Sequence, residues 1–171
     1  MKLRCDSIGL MSERAPIKAV LVEDGYLFQE PTVEELAKYG VEVEALSTEH
    51  EFRMRLPFWG QNPPNVFVLG SWVKWTDPSP DIPTPTQDVV DEDYHRAAGL
   101  RMSRYLAEIP ELKGVPVIIL GFDSDDERFK GIDVGSLSKR ELFVDKHNLI
   151  DGSLGRIVRS VAIGFNSSFQ Q

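Results

Sequence analysis

Two carboxylates stand side by side at Glu23 and Asp24, directly after the apolar run Ala19-Val20-Leu21-Val22. Such a run reads as a buried strand, and adjacent carboxylates at its end repel each other. A hard divalent cation is the usual remedy, because oxygen ligands suit Mg²⁺. The plain alternative is an acidic turn of the kind that ends many strands. A second acidic group, Asp123, Asp125 and Asp126, reads first as a solvated loop and only second as a contribution to a metal. His50, His95 and His147 share no ligand spacing, and Cys5 has no cysteine partner in the chain. Neither a zinc site nor an internal disulfide framework is therefore expected. The phosphate-cradling pattern GxGxxG is absent after the first strand, as is a P-loop GxxxxGK followed by Ser or Thr. There is also no G-x-S-x-G elbow and no convincing Ser/His/Asp triad.

The elements that must position these residues alternate between short apolar strands and helical stretches. Strands are expected around Lys18–Glu23, Val41–Leu46, Asn65–Leu69, Val115–Leu120 and Leu142–Val144. The first, third and fourth are near-continuous apolar runs, which fit strands buried on both faces of a parallel sheet. Between them, Thr32-x-x-Glu35 and Thr48-x-x-Glu51 are candidate capping boxes, the second followed by Phe52, Leu56 and Trp59. Ala98, Met102, Leu106 and Ile109 share one helical face, as do Leu154, Ile157, Val158, Val161 and Phe165. This alternation predicts a right-handed βαβ series and a doubly wound α/β fold with its functional crevice at the carboxyl ends of the strands.

One stretch breaks the rhythm. Residues 71–91 carry Trp72, Trp75, Pro78, Pro80, Pro83 and Pro85, a composition that excludes a long helix or a central strand. A loop of this length is read either as a surface excursion pinned by its tryptophans or as a lid or docking loop over the strand ends. A second irregular stretch, 122–140, leaves room only for a short or poorly formed fourth helix. The 171 residues, 42% hydrophobic and 27% charged, suit one globular domain. Residues 1–16 read as a polar leader and 166–171 as a tail. A net charge of -8 argues against a nucleic-acid footprint and against docking on anionic lipid. No apolar run approaches the roughly 20 residues needed to span a bilayer, and the lone Cys5 fits a reducing cytoplasm.

The order of the strand ends is more specific than any one of them. An acidic pair closes strand one, Pro64-Asn65-Val66-Phe67-Val68-Leu69-Gly70 follows about forty residues later, then Val115-Pro116-Val117-Ile118-Ile119-Leu120-Gly121, then Leu142-Phe143-Val144-Asp145-Lys146. Over residues 17–165, with an insertion at 71–91, this resembles the receiver domain of bacterial response regulators, the CheY-like family. The resemblance implies a flavodoxin-like, three-layer α/β/α fold with five parallel strands. It implies that Glu23 and Asp24 match the acidic Mg²⁺ ligands and that Trp72 falls where a backbone carbonyl also binds the metal. Gly70 matches the phosphoacceptor aspartate, Gly121 the hydroxyl residue that senses the phosphoryl group, and Lys146 the lysine that pairs with the phosphorylated aspartate. His147, where proline often follows that lysine, reads as a turn residue.

Two of these positions carry no side chain, so the nucleophile and the hydroxyl of the switch are both missing. Phosphoryl transfer needs a carboxylate aligned with Mg²⁺. With Gly70 and only two carboxylates left, metal affinity should fall to a weak, vestigial Mg²⁺ site at Glu23 and Asp24, with no cofactor required. Lys146, lacking a phosphate, is expected to pair with Glu23 or Asp24, because a buried acidic pair needs compensation. The expectation is a pseudo-receiver: not an enzyme, but a protein-interaction module in signalling. Its partner surfaces would be the loop and the face of the last strand and helix, where a homodimer could also form. The alternative is an atypical response regulator in a phosphorelay, using Ser71, Asp77 or Asp81 as a non-standard acceptor or binding Mg²⁺ or phosphate without covalent chemistry. A small flavodoxin-like enzyme or nucleotide binder is the weakest reading.

Overall fold

A computed structural model of the chain describes residues 16–92, 97–122, 140–149 and 152–168. Five strands, β1 (Ile17–Val22), β2 (Val41–Leu46), β3 (Val66–Gly70), β4 (Val117–Gly121) and β5 (Glu141–Asp145), form one sheet in the order β2-β1-β3-β4-β5. Every pairing is parallel. Around the sheet lie α1 (Tyr26–Lys38), α2 (Glu49–Gln61), α3 (Gln87–Asp91), α4 (Ala98–Glu108) and α5 (Ser153–Ser168), with a 3-10 turn at Lys146–Asn148.

The continuous apolar runs have the cause expected of them: each strand feeds a core on both faces. Val20, Val22, Phe67, Leu69, Val117 and Ile119 pack with Phe52 and Trp59 of α2 and Met102 and Leu106 of α4. Their alternating neighbours Ala19, Leu21, Val66, Val68, Ile118 and Leu120 pack with Leu36 of α1 and Leu154, Val158 and Ala162 of α5. Strand side chains alternate faces, so one run serves two cores. Phe67, Val68 and Leu69 have no exposed surface, and full burial of such a side chain is worth about 1.5–3 kcal/mol.

The capping signal in the sequence holds at α2 and fails at α1. Thr48 caps α2 with a complete capping box: its hydroxyl accepts from the Glu51 amide at 3.1 Å while the Glu51 carboxylate accepts from the Thr48 amide at 3.2 Å. The Thr32–Glu35 box does not form. The helix already starts at Tyr26, where the Gly25 carbonyl accepts from the Phe28 and Gln29 amides, and it runs through Pro31. The carbonyl that Pro31 leaves without a donor belongs to Leu27, 82% exposed, so water is at hand. Glu35 instead accepts from the Gly155 amide at 2.7 Å and ties α1 to α5. Gly40 then turns the chain into β2 at φ 72°, a conformation that favours glycine.

The long connection after β3 is irregular up to Thr86, as its prolines require, but its end winds into the short helix α3. The stretch 123–139, with Asp123, Asp125 and Asp126, lies outside the described residues, as do residues 1–15, His95 and 169–171. Helix α5 continues to Ser168, past the expected start of the tail. No helix among the described residues is long and apolar enough to cross a membrane.

Candidate functional site

The parallel sheet brings the carboxyl ends of β1, β3, β4 and β5 to one edge, and there the predicted residues meet. Lys146 follows β5 directly. Its turn is fixed by Asp145, whose carboxylate accepts from the His147 amide at 2.8 Å. From that position the Lys146 ammonium donates to Glu23 Oε2 at 2.8 Å, with side chains only 6% and 4% exposed. The expected pairing is therefore present and selects Glu23. Two rings cap the same ammonium: it lies 4.7 Å from the centroid of Phe28 and 5.3 Å from that of Phe122. The rings meet edge to face at 6.0 Å, and Phe122 also packs on the exposed His147 at 4.7 Å. Cation–π attraction of this kind strengthens when water is excluded.

Burial pushes the Glu23 carboxyl above its usual value. Lys146 opposes that shift by charge and hydrogen bond, and the neighbouring Asp24 adds to it. Asp24 is itself committed elsewhere: its Oδ2 accepts from the Lys74 amide at 3.0 Å, which fastens the loop after β3 to the end of β1.

The glycines of this edge are filled in by their neighbours. A Cβ on Gly70 would lie 2.9 Å from Glu23 Oε2, 3.1 Å from Val73 Cγ2 and 3.2 Å from the Val22 carbonyl. A Cβ on Gly121 would lie 2.7 Å from Ser71 Oγ and 2.9 Å from the Phe143 ring. The space that a side chain at residue 70 or 121 would enter is thus taken up by Glu23 and Val73 in the first case and by Ser71 and Phe143 in the second. Gly99, near the start of α4, adds a third contact of this type: its Cβ would lie 2.7 Å from the Gly70 carbonyl oxygen, so that helix and strand end touch backbone to backbone. Of the substitute acceptors, Ser71 is buried, Asp77 pairs with Lys74 at 2.6 Å on the surface, and Asp81 is exposed. Trp72 is half-buried at the head of the loop.

This donor set does not fit Mg²⁺. The ion demands near-octahedral oxygen ligation, whereas Glu23 carries an ammonium on the oxygen that faces Gly70, Asp24 holds a backbone amide, and Gly70 offers no side chain. Among the described residues, no group of three or more His, Cys, Asp or Glu side chains is arranged to hold a metal.

A second polar cluster escaped the sequence. Glu49 and Arg101 are buried, at 0% and 1% exposure. Glu49 accepts from Arg101 at 2.9 and 2.5 Å and from Arg53 at 3.1 and 2.6 Å. Arg53 reaches on to Thr86 (2.7 Å), Tyr105 (2.9 Å) and Asp88 (2.7 Å). Burial tends to raise the Asp88 carboxyl, but hydrogen bonds from Arg53, Thr86 and Tyr105 outweigh it and hold the group well below the usual carboxylate range. The only trace of this cluster in the sequence is the i, i+4 spacing of Glu49 and Arg53, which ordinarily marks a solvated helix face.

No protein-family model matches the chain. No curated protein matches it either. Solved structures do. It is similar to the signal receiver domain of a signal transduction histidine kinase from Syntrophus aciditrophicus, with 20% identity, TM-score 0.58, and coverage of 86% of this chain and 90% of that one. It is similar to the receiver domain of a sensor histidine kinase from Pseudomonas aeruginosa, which holds a magnesium ion in its active-site cleft (13% identity, TM-score 0.53, 86% and 98% covered). The non-phosphorylated HemR receiver domain from Leptospira biflexa matches at 21% identity and TM-score 0.54, with 85% and 94% covered. With its all-parallel order β2-β1-β3-β4-β5 and helices on both faces, the chain has the CheY-like receiver fold.

Proposed function

We propose that the chain is a pseudo-receiver, a protein-interaction module of a signalling pathway that keeps the receiver scaffold and does without aspartyl phosphorylation. One observation carries this reading: Glu23 Oε2 stands 2.9 Å from the position of a Gly70 Cβ and is already paired with Lys146. In the receiver arrangement that the sequence resembles, the lysine turns toward a phosphorylated aspartate. Here its partner is built in, so the crevice holds one arrangement without a phosphoryl group. Three features of the chain's own residues support silence. No carboxylate stands at residue 70 to attack phosphorus, no hydroxyl at residue 121 to sense a product, and the Lys146 side chain is almost fully buried, with its ammonium beside Phe28 and Phe122. On this reading the chain catalyses no reaction and requires no cofactor, and Mg²⁺ is not retained.

The interaction surfaces follow from what the scaffold leaves outside. They are the proline-rich loop and the face of β5 and α5, the second of which also suits a homodimer. The acidic balance favours protein partners over nucleic acid.

Incubation with acetyl phosphate and Mg²⁺, followed by intact mass measurement, tests the reading. An unchanged mass is expected. A stoichiometric phosphate adduct would overturn it in favour of a phosphorelay role with a non-standard acceptor.

A further inference from the structure

The loop after β3 is fastened in an uneven way. Val73 and Val89, near its two ends, have no exposed surface. Between them, from Lys74 to Asp88, no residue is buried, and the run 77–82 is exposed throughout, with Ile82 at 55%. What holds this span is polar. The Glu49 and His50 amides, first-turn donors that α2 cannot satisfy internally, donate to the Lys74 and Trp75 carbonyls at 3.0 and 2.9 Å. The Lys74 amide donates to Asp24. Trp75 packs edge-on to His50 at 5.3 Å, and its Nε1 donates to the Pro83 carbonyl at 2.8 Å, drawing the two limbs together.

Arg53 closes the arrangement. Its guanidinium lies 5.1 Å from the Trp75 ring on the near limb and donates to Thr86 and Asp88 on the far limb. It also lies 4.3 Å from the Tyr105 ring of α4, and Glu49 of α2 holds it from behind. One side chain therefore meets both limbs of the loop and both helices beneath it. A segment with no buried side chain, held by hydrogen bonds between two apolar anchors, has the character of a unit that opens below the global unfolding energy.

We propose that residues 74–86 form a strap that lifts as a unit between the anchors Val73 and Val89, latched by Arg53, and that lifting it frees Asp24 at the strand-end crevice. The two crevice carboxylates are then under separate control: Glu23 is held by Lys146, and Asp24 by the strap. Only the use of this motion rests on the pseudo-receiver reading, for which it supplies a change at the crevice that needs no phosphate. The strap itself stands on the contacts just described.

Amide hydrogen exchange on the full chain tests the proposal, comparing the wild type with Arg53→Met and Asp88→Asn. In Arg53→Met the amides of Lys74, Glu49 and His50, whose acceptors are broken when the strap lifts, should exchange about tenfold faster or more, while the β3 amides of Val68 and Leu69 keep their rates. Asp88→Asn should shift the same three amides in the same direction by less. Should Arg53→Met fail to fold, Asp88→Asn carries the test, because the Asp88 side chain is 34% exposed and its loss leaves the core intact. Unchanged rates at the three amides, or acceleration only in step with β3, would overturn the strap. That failure is distinct from a phosphate adduct on the wild type, which would remove the pseudo-receiver reading and leave the strap standing.

Discussion

The carboxylate of Glu23 occupies the ground on which a side chain at Gly70 would begin, 2.9 Å from the ideal Cβ position. Residue 70 thus carries no side chain, and the space one would enter is already filled. Because the obstructing atom is the tip of a flexible side chain, Gly70→Asp can be accommodated if Glu23 turns away. The variant would then hold the introduced carboxylate together with Glu23 and Asp24, three like charges at one strand edge. It should lose about 1–3 kcal/mol of stability. Millimolar Mg²⁺ should raise the melting temperature of the variant and leave the wild type unmoved. Thermal melts with and without the ion check both statements, and an equal rise in the wild type would contradict them.

Gly99 makes the opposite case. The atom its Cβ would meet, at 2.7 Å, is the Gly70 carbonyl oxygen, which is backbone and cannot swing aside. Gly99→Ala should cost about 1–3 kcal/mol in spite of the better helix propensity of alanine. Gly70→Ala, opposed mainly by the Glu23 tip, should cost less. Urea denaturation of the two variants gives the order directly.

Lys146 and Glu23 are buried together, so removing one strands the other. Lys146→Met should cost about 3–5 kcal/mol, because it leaves the buried Glu23 charge uncompensated, and Glu23→Gln should cost less, because the fold already favours the neutral form of that carboxyl. The double variant should recover most of that loss. Denaturation of all four proteins measures the coupling, and additive losses would show that the pair does not act as one.

Two carboxylates should respond to pH with opposite sign. Burial raises the Glu23 value above 4.5 in the folded chain. The fold therefore binds that proton more tightly than the unfolded chain does, and the contribution of Glu23 is present below 4.5 and lost as pH rises through the folded value. Asp88, held down from 3.8 despite its burial by hydrogen bonds from Arg53, Thr86 and Tyr105, contributes above 3.8 and loses that contribution as pH falls toward its folded value. Stability of the wild type relative to Glu23→Gln should thus decline from about pH 4 upward, whereas relative to Asp88→Asn it should decline below that pH. Urea titrations across the acid range separate the two.

The sheet was legible because its strands are apolar without interruption, a pattern with few other outlets. The crevice was legible because parallel strands deliver their ends to one edge, so Glu23 and Lys146, 123 residues apart, could be expected to meet. The Glu49–Arg53–Arg101 cluster was not. Charged residues on helices ordinarily face water, and nothing in the local pattern tells that Glu49 is fully enclosed between α2 and α4. The start of α1 was not legible for a related reason. Thr32 and Glu35 have the spacing of a capping box, but they lie inside a helix that starts at Tyr26 and runs through Pro31, because the carbonyl that Pro31 leaves without a donor, on Leu27 in the first turn, is open to solvent.

The most direct test is a crystal structure of the wild type soaked with Mg²⁺ and beryllofluoride, an analogue of the phosphoryl group. The pseudo-receiver account predicts Lys146 Nζ still bonded to Glu23 Oε2 beneath Phe28 and Phe122, with no added density beside Gly70. Density for the ion and the analogue in the crevice, with Lys146 turned toward them and away from Glu23, would contradict it.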